Sequence, residues 1–185
     1  ADNIGAPVGG EDGYRSFLID IHYDNPGLKE DTFDNSGIEF YFTNTPREHD
    51  LGILQLGDPM LSLYGSTVGD GISEHSFGCP GGCSTAALDE PVTVLREILH
   101  MHQSGESSYN EQYRDGALIR TGRAEFFDFD QQGAQNVIQE PFQIQPGDGF
   151  KTTCFYKNDA QNLNRTFGLA SSEEMCIAFI MYYPK

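Results

Sequence analysis

An all-β domain, sandwich or barrel, is what this sequence predicts, and three observations carry the prediction. Long apolar periods of helical type are scarce, short alternating apolar runs recur instead, and Gly, Pro, Asp and Asn punctuate them. In chain order the strand-like runs begin with "RSFLIDIHY" (15–23), "GIEFYFT" (37–43), "DLGILQLG" (50–57) and "VTVLREILHMH" (92–102). "GALIRTGRAEFF" (116–127), "PFQIQPGDGFKTTCFYK" (141–157) and "EMCIAFIMYY" (174–183) follow. Their β-branched and aromatic residues fit a pleated, half-buried surface. Within 141–157, "QPGDG" is a turn joining two strands. The one helix candidate, around 84–91, is short.

A stretch rich in turn formers and charge, "DNPGLKEDTFDNS" (24–36), separates one strand with a Gly-rich leader from the main body. A lone strand cannot bury itself. Residues 1–27 therefore read as a strand plus linker that needs other material to pair with, and residues 28–185 as the principal domain. Hydrophobic content of 38%, with 13 Phe and 9 Tyr in 185 residues, suffices for a real core. A formal net charge of −17 with no local basic patch sets the chain against nucleic acid. No apolar run approaches a membrane span, and the first residues lack the basic start and apolar stretch of a signal peptide. Four cysteines, Cys79, Cys83, Cys154 and Cys176, allow three full pairings. Zinc held by Cys79, Cys83 and His75 lacks the usual four-ligand spacing. One sequon, "NRT" at Asn164, fits a secretory route.

The chemistry-bearing stretch is "LREILHMHQSGE" (95–106). In a strand, residues i and i+2 share a face, so His100 and His102 present their imidazoles side by side, as a two-pronged metal grip does. With Glu106 the segment also fits half of a cupin site, but no later histidine exists to complete one. "DFDQQG" (128–133) has Gln132 where a calcium loop needs Asp or Asn, and reads as a solvated turn. "GSTVG" (65–69) has Thr at its centre, so no nucleophile elbow is present. His49 and His75 read as surface residues. A soft third ligand could complete the grip: the thioether of Met175 with two imidazoles suits Cu(I) better than zinc or iron. On composition alone Met175 reads as core filler.

Several segments taken together resemble the copper type II, ascorbate-dependent monooxygenases, closest to the dopamine β-monooxygenase-like branch. They are "IHYDNP" (21–26), "DNSGIEFYFT" (34–43), "HDLGILQLG" (49–57), "FGCPGGC" (77–83), "LHMHQSG" (99–105), "PGDGFKTTCFY" (146–156), "NRTFG" (164–168) and "EEMCIAFIMYYPK" (173–185). The match is ordered and covers nearly the whole chain. It implies an antiparallel jelly-roll β-sandwich, the C-terminal catalytic domain of an enzyme that hydroxylates an sp3 carbon. In that resemblance His100, His102 and Met175 are the catalytic ligands of the oxygen-binding copper, and ascorbate is the reductant. His22 becomes a possible ligand of a second copper in a preceding domain, whose last strand lies within residues 1–27. That copper's adjacent His-His pair is not in this chain, so the resemblance implies a fragment of a longer polypeptide. Its partners would be a small-molecule substrate, O2, and the N-terminal copper domain or another chain of the same assembly.

The resemblance also pairs Cys154 with Cys176. Cys79 and Cys83 then bond each other or segments not in this chain. A secreted or secretory-vesicle location follows, with Asn164 as the glycosylation site. Ile98, Phe179, Met181 and Tyr182 are the implied substrate-pocket residues. The peptide-amidating branch has Arg where Ile98 stands, and Asn and Tyr where Ile177 and Phe179 stand, which sets peptidylglycine aside. The catecholamine branch has a polar residue in place of Ile98 and Tyr in place of Phe179, which argues against dopamine. The competing expectation is a catalytically inactive sandwich that serves as a secreted binding or structural module.

Overall fold

Alternation of buried and exposed residues along Val92–His100 and Ile177–Tyr183 gives one sheet an apolar inner face that must be covered. The computed structural model describes residues 3–11, 13–19, 21, 23, 25, 27–58, 61, 64–131, 137–158 and 165–185, the side chains of 137–140 excepted. Ten strands and one helix are formed among them: β1 (Ile4–Gly5), β2 (His49–Asp50), β3 (Gly52–Gly57), β4 (Gly71–Cys79), α1 (Gly81–Ala87), β5 (Val92–His100), β6 (Gly105–Arg114), β7 (Ala117–Ala124), β8 (Val137–Ile144), β9 (Gly149–Asn158) and β10 (Ile177–Tyr183).

Two four-stranded sheets, in the orders β3-β10-β5-β8 and β4-β9-β6-β7, are antiparallel throughout. Their inner faces meet in one core. Leu56, Val92, Val94, Leu99, Ile144, Ala178, Ile180 and Tyr182 come from the first sheet, Ala124 and Phe150 from the second. Each fully buried aliphatic side chain there contributes about 1.5–3 kcal/mol. A second cluster (Val68, Met101, Cys154, Tyr156, Phe167, Cys176) lies beneath the end of β5. The all-β expectation holds, and α1 stands a few residues before the helix expected at 84–91.

Two expected strands are not seen among the described residues. Among the described residues of 15–23 and 37–43 none joins a ladder, and side chains such as Leu18 (96% exposed) and Phe42 (87%) face solvent. A strand is stabilised by its neighbour's hydrogen bonds, and alternation without a neighbour does not supply them. Conversely β4 and β6 escape a hydrophobicity reading because their faces carry polar residues. The inward positions of β6 are Ser108, Asn110 and Gln112, all buried.

Those polar groups are satisfied from across the sandwich. Asn110 donates to the Glu97 carboxylate at 2.6 Å and accepts from the Thr152 hydroxyl at 2.9 Å. Arg120 pairs with Glu97 at 2.6 Å while its guanidinium lies 3.6 Å above the Phe142 ring. A Cβ at Gly122 would collide with the Glu97 carboxylate, so glycine makes room for the buried charge.

The β8–β9 turn is held by Asp148. Its carboxylate accepts from Arg114 Nε and Nη2 (both 2.8 Å), Gln112 (2.7 Å) and the Gln145 backbone N–H (2.8 Å). Burial alone would raise the Asp148 carboxyl, but these hydrogen bonds, led by Arg114, hold it below the usual aspartate range. The folded state thus prefers the carboxylate. The stability that follows is fully present above about pH 4 and is lost as pH falls through the folded value. Urea unfolding midpoints measured against pH should fall steeply in this acid window. Asp148→Asn should show a lower midpoint at neutral pH and a flatter acid limb.

Candidate metal centre

β5 ends at His100, whose side chain lies on the outer face of its sheet opposite Ile177 of β10. Met101 then turns inward and is fully buried, and His102 follows outside the ladder, only 6% exposed. A tight turn closes with the Gly105 N–H donating to the His102 carbonyl at 3.1 Å. Gly105 has no space for a Cβ because Met101 and Phe127 occupy it. The expectation of two rings side by side is met in part. Their centroids are 5.0 Å apart, but the planes meet at 87°, edge-on, because the strand ends between them.

His102 Nδ1 lies 2.9 Å from the Glu173 carbonyl oxygen. A carbonyl only accepts, so in the neutral ring Nδ1 carries the proton and Nε2 has the lone pair a metal needs. That carbonyl partner also fixes the ring's orientation. Phe129 lies against the same ring, 5.8 Å between centroids, and Phe179 lies 5.9 Å from the His100 ring.

The segment carrying Met175 is tied down at three consecutive residues. Glu174, fully buried, accepts from the backbone N–H of His102 (2.9 Å) and of Ser104 (2.5 Å) and pairs with Arg165 at 3.4 Å. The Met175 carbonyl accepts from the Tyr156 hydroxyl at 2.8 Å. Cys176 is joined to Cys154 of β9 by a disulfide. Glu174 and Cys176 are buried while Met175 is half-buried, so its position continues the outward series Ile177, Phe179, Met181. Extending the Ile177–His100 register by two residues sets Met175 across from His102. Two imidazoles and one thioether are, by donor type, a set that suits a soft ion such as Cu(I).

Of the expected pocket residues, Ile98, Phe179 and Met181 share this outer face, Phe179 being paired with Ile98. Tyr182 does not: it points into the core, 7% exposed, with its ring filling the space above Gly52. His22 and Asn164 lie outside the described residues. Cys79 and Cys83 are thiols in this structure and are not bonded to each other. Burial, with the Cys83 side chain beside it, pushes the Cys79 thiol up to about 12, so it is an unreactive thiol rather than a thiolate. His75 is not a surface residue. Its ring is against Phe167, 5.5 Å between centroids, and burial outweighs the nearby Asp58 carboxylate and lowers its basicity.

Sequence reasoning missed Glu174 and Arg165. One signal was available: in "EEMCIAFIMYY" an acid occupies the same alternation as Cys176, Ala178 and Ile180, and a buried carboxylate demands a cation. Which cation it meets, Arg165, is decided only by folding. The disulfide closes a 22-residue separation, which constrains the unfolded chain by about 3 kcal/mol. The double variant Cys154→Ala/Cys176→Ala should lose roughly that much in denaturant unfolding, where an unchanged midpoint would count against the role given to the bridge.

Residues 51–185 match the family model described as the copper type II ascorbate-dependent monooxygenase C-terminal domain. The chain is 32% identical to the tyramine beta-hydroxylase of Caenorhabditis briggsae, an alignment covering 97% of this chain and 31% of that protein. It is 29% identical to DBH-like monooxygenase protein 1 of Gallus gallus (99% and 30% covered) and 30% identical to the dopamine beta-hydroxylase of Canis lupus familiaris (100% and 30%). It thus spans about a third of the length of these relatives. With the family model covering well over half of its residues, the chain belongs to the copper type II ascorbate-dependent monooxygenases and carries their C-terminal domain.

Proposed function

We propose that this chain is the catalytic C-terminal half of a monooxygenase that hydroxylates an sp3 carbon of a small-molecule substrate with O2. The observation that carries the reading is the meeting of the His100 and His102 rings at the end of β5; Met175 lies two residues before Ile177, the β10 partner of His100. These three residues would hold copper through two ring nitrogens and a thioether sulfur. When bound, copper supplies the one-electron chemistry by which O2, with ascorbate as reductant, oxidises a C–H bond.

The protein's own part is positional. The Glu173 carbonyl accepts from Nδ1 of His102 and so leaves Nε2 as the lone-pair nitrogen of the neutral ring. Glu174 and the Cys154–Cys176 bridge restrain the segment on both sides of Met175. Ile98 and Phe179 offer an apolar wall beside His100 that keeps water from a bound carbon. From β3 to β10 the chain crosses between the two sheets at every step except β6 to β7, which supports a jelly-roll reading of the sandwich. The disulfide supports a secreted or secretory-vesicle location. That the matching family model is that of a C-terminal domain supports a preceding copper domain as partner, in which His22 would be a ligand.

The test is Cu(I) binding by chelator competition, joined to X-ray absorption at the copper edge. One ion per chain, with two nitrogen neighbours and one sulfur neighbour, is the expected result. No binding, or sulfur-free binding unchanged by Met175→Ala, would overturn the assignment and leave the sandwich as a binding or structural module.

A further inference from the structure

Resting on that reading of the site, the geometry points to the class of its substrate: an elongated apolar molecule bearing an anionic group that Arg96 receives. The outer face of the β3-β10-β5 sheet is laid out in rows by its register. His100 pairs with Ile177, then Ile98 with Phe179, then Arg96 with Met181, which also pairs with Ile53 on β3. Between the histidines and Arg96 the β5 and β10 positions of this face are therefore apolar, and on β3 the Phe179 row continues to exposed Gln55 and the Met181 row to Ile53, 56% exposed at the edge.

Arg96 is exposed and is the only formally charged side chain among the described outward residues of β3, β5 and β10. In a chain of net charge −17 it makes no ion pair among the described residues, whereas Arg114, Arg120, Arg123 and Arg165 each do. A guanidinium beside an apolar strip is a fork for a carboxylate. Rows two residues apart on a strand are separated by about 6.6 Å, so Arg96 stands roughly 13 Å along β5 from His100. A reacting carbon above the histidines and an anion at Arg96 are then spanned by a ring or alkyl body lying over Ile98, Phe179 and Met181.

Charge also sets the direction of binding. Asp128 and Asp130, both exposed, flank the Phe129 that lies against His102. They repel an anion from the histidine end and leave Arg96 as its seat.

Binding of 4-phenylbutanoate, 4-phenylbutylamine and 4-phenylbutanol to the protein, followed by NMR shifts and calorimetry, tests this without turnover. Expected is a five- to tenfold preference for the acid, lost in Arg96→Ala and turned toward the amine in Arg96→Glu, with Ile98 and Phe179 resonances shifting. No preference for the acid, a preference that survives Arg96→Ala, or no binding by any of the three overturns the inference. Copper content measured on the same samples separates the two readings. Normal copper with no acid preference sinks only the substrate class, and absent copper sinks the site itself.

Discussion

Met175→Ala is expected to fold as the parent does and to lose at least about two orders of magnitude in hydroxylation rate, more than the 10–100-fold typical of changes behind a metal's direct ligands. The two halves of this result have separate causes. Met175 is half-buried and sits at the sheet end rather than in either core cluster, so its truncation removes little packing. About 1 kcal/mol is the expected cost, well under the 2–5 kcal/mol of a fully buried Met→Ala change. In the proposed site its thioether is the soft donor that would favour Cu(I) over other ions. The measurements are a thermal unfolding curve and ascorbate-dependent O2 consumption by the copper-loaded protein together with its preceding domain. Normal turnover by the variant would remove Met175 from the site.

Glu174→Ala should do the opposite damage, in stability first. The substitution leaves Arg165, 8% exposed at its side chain, without its carboxylate, and strips two backbone N–H groups of their acceptor. Removing one partner of a buried ion pair costs about 3–5 kcal/mol. In a domain of this size that corresponds to a fall of roughly 10 °C in Tm. Copper affinity should fall as well, because the same two N–H groups fix the turn that carries His102. Glu174→Gln keeps one acceptor oxygen and should fall between the two proteins. A Tm within about 2 °C of the parent for Glu174→Ala would show that the 102–105 turn does not depend on this carboxylate.

Much of the fold and part of the site were legible in the chain as written. β3, β5, β7 and β10 lie inside runs whose apolar residues alternate with period two, and β9 overruns its own by one residue. "HMH" and "EEMC" announce the donors by residue type alone. β4 and β6 were not legible, since a polar inward residue reads as solvent-facing until its partner across the core is known. Asn110 and Gln112 become interior residues only because Glu97, Thr152 and Asp148 meet them. The opposite held at 15–23 and 37–43, where alternation is present but no described residue joins a ladder.

The sequence by itself determined the all-β class, the family, and the identity of the three candidate donors. Those depend on local pattern and residue chemistry, which need no contacts to be read. Tertiary structure alone decided that the histidine rings meet edge-on, that Glu173 selects the His102 tautomer, and that Glu174 clamps two segments 70 residues apart. It also turned Tyr182 into the core and left Arg96 on the open face. Each of these is a property of register, and register is settled only when two strands far apart in the chain lie side by side.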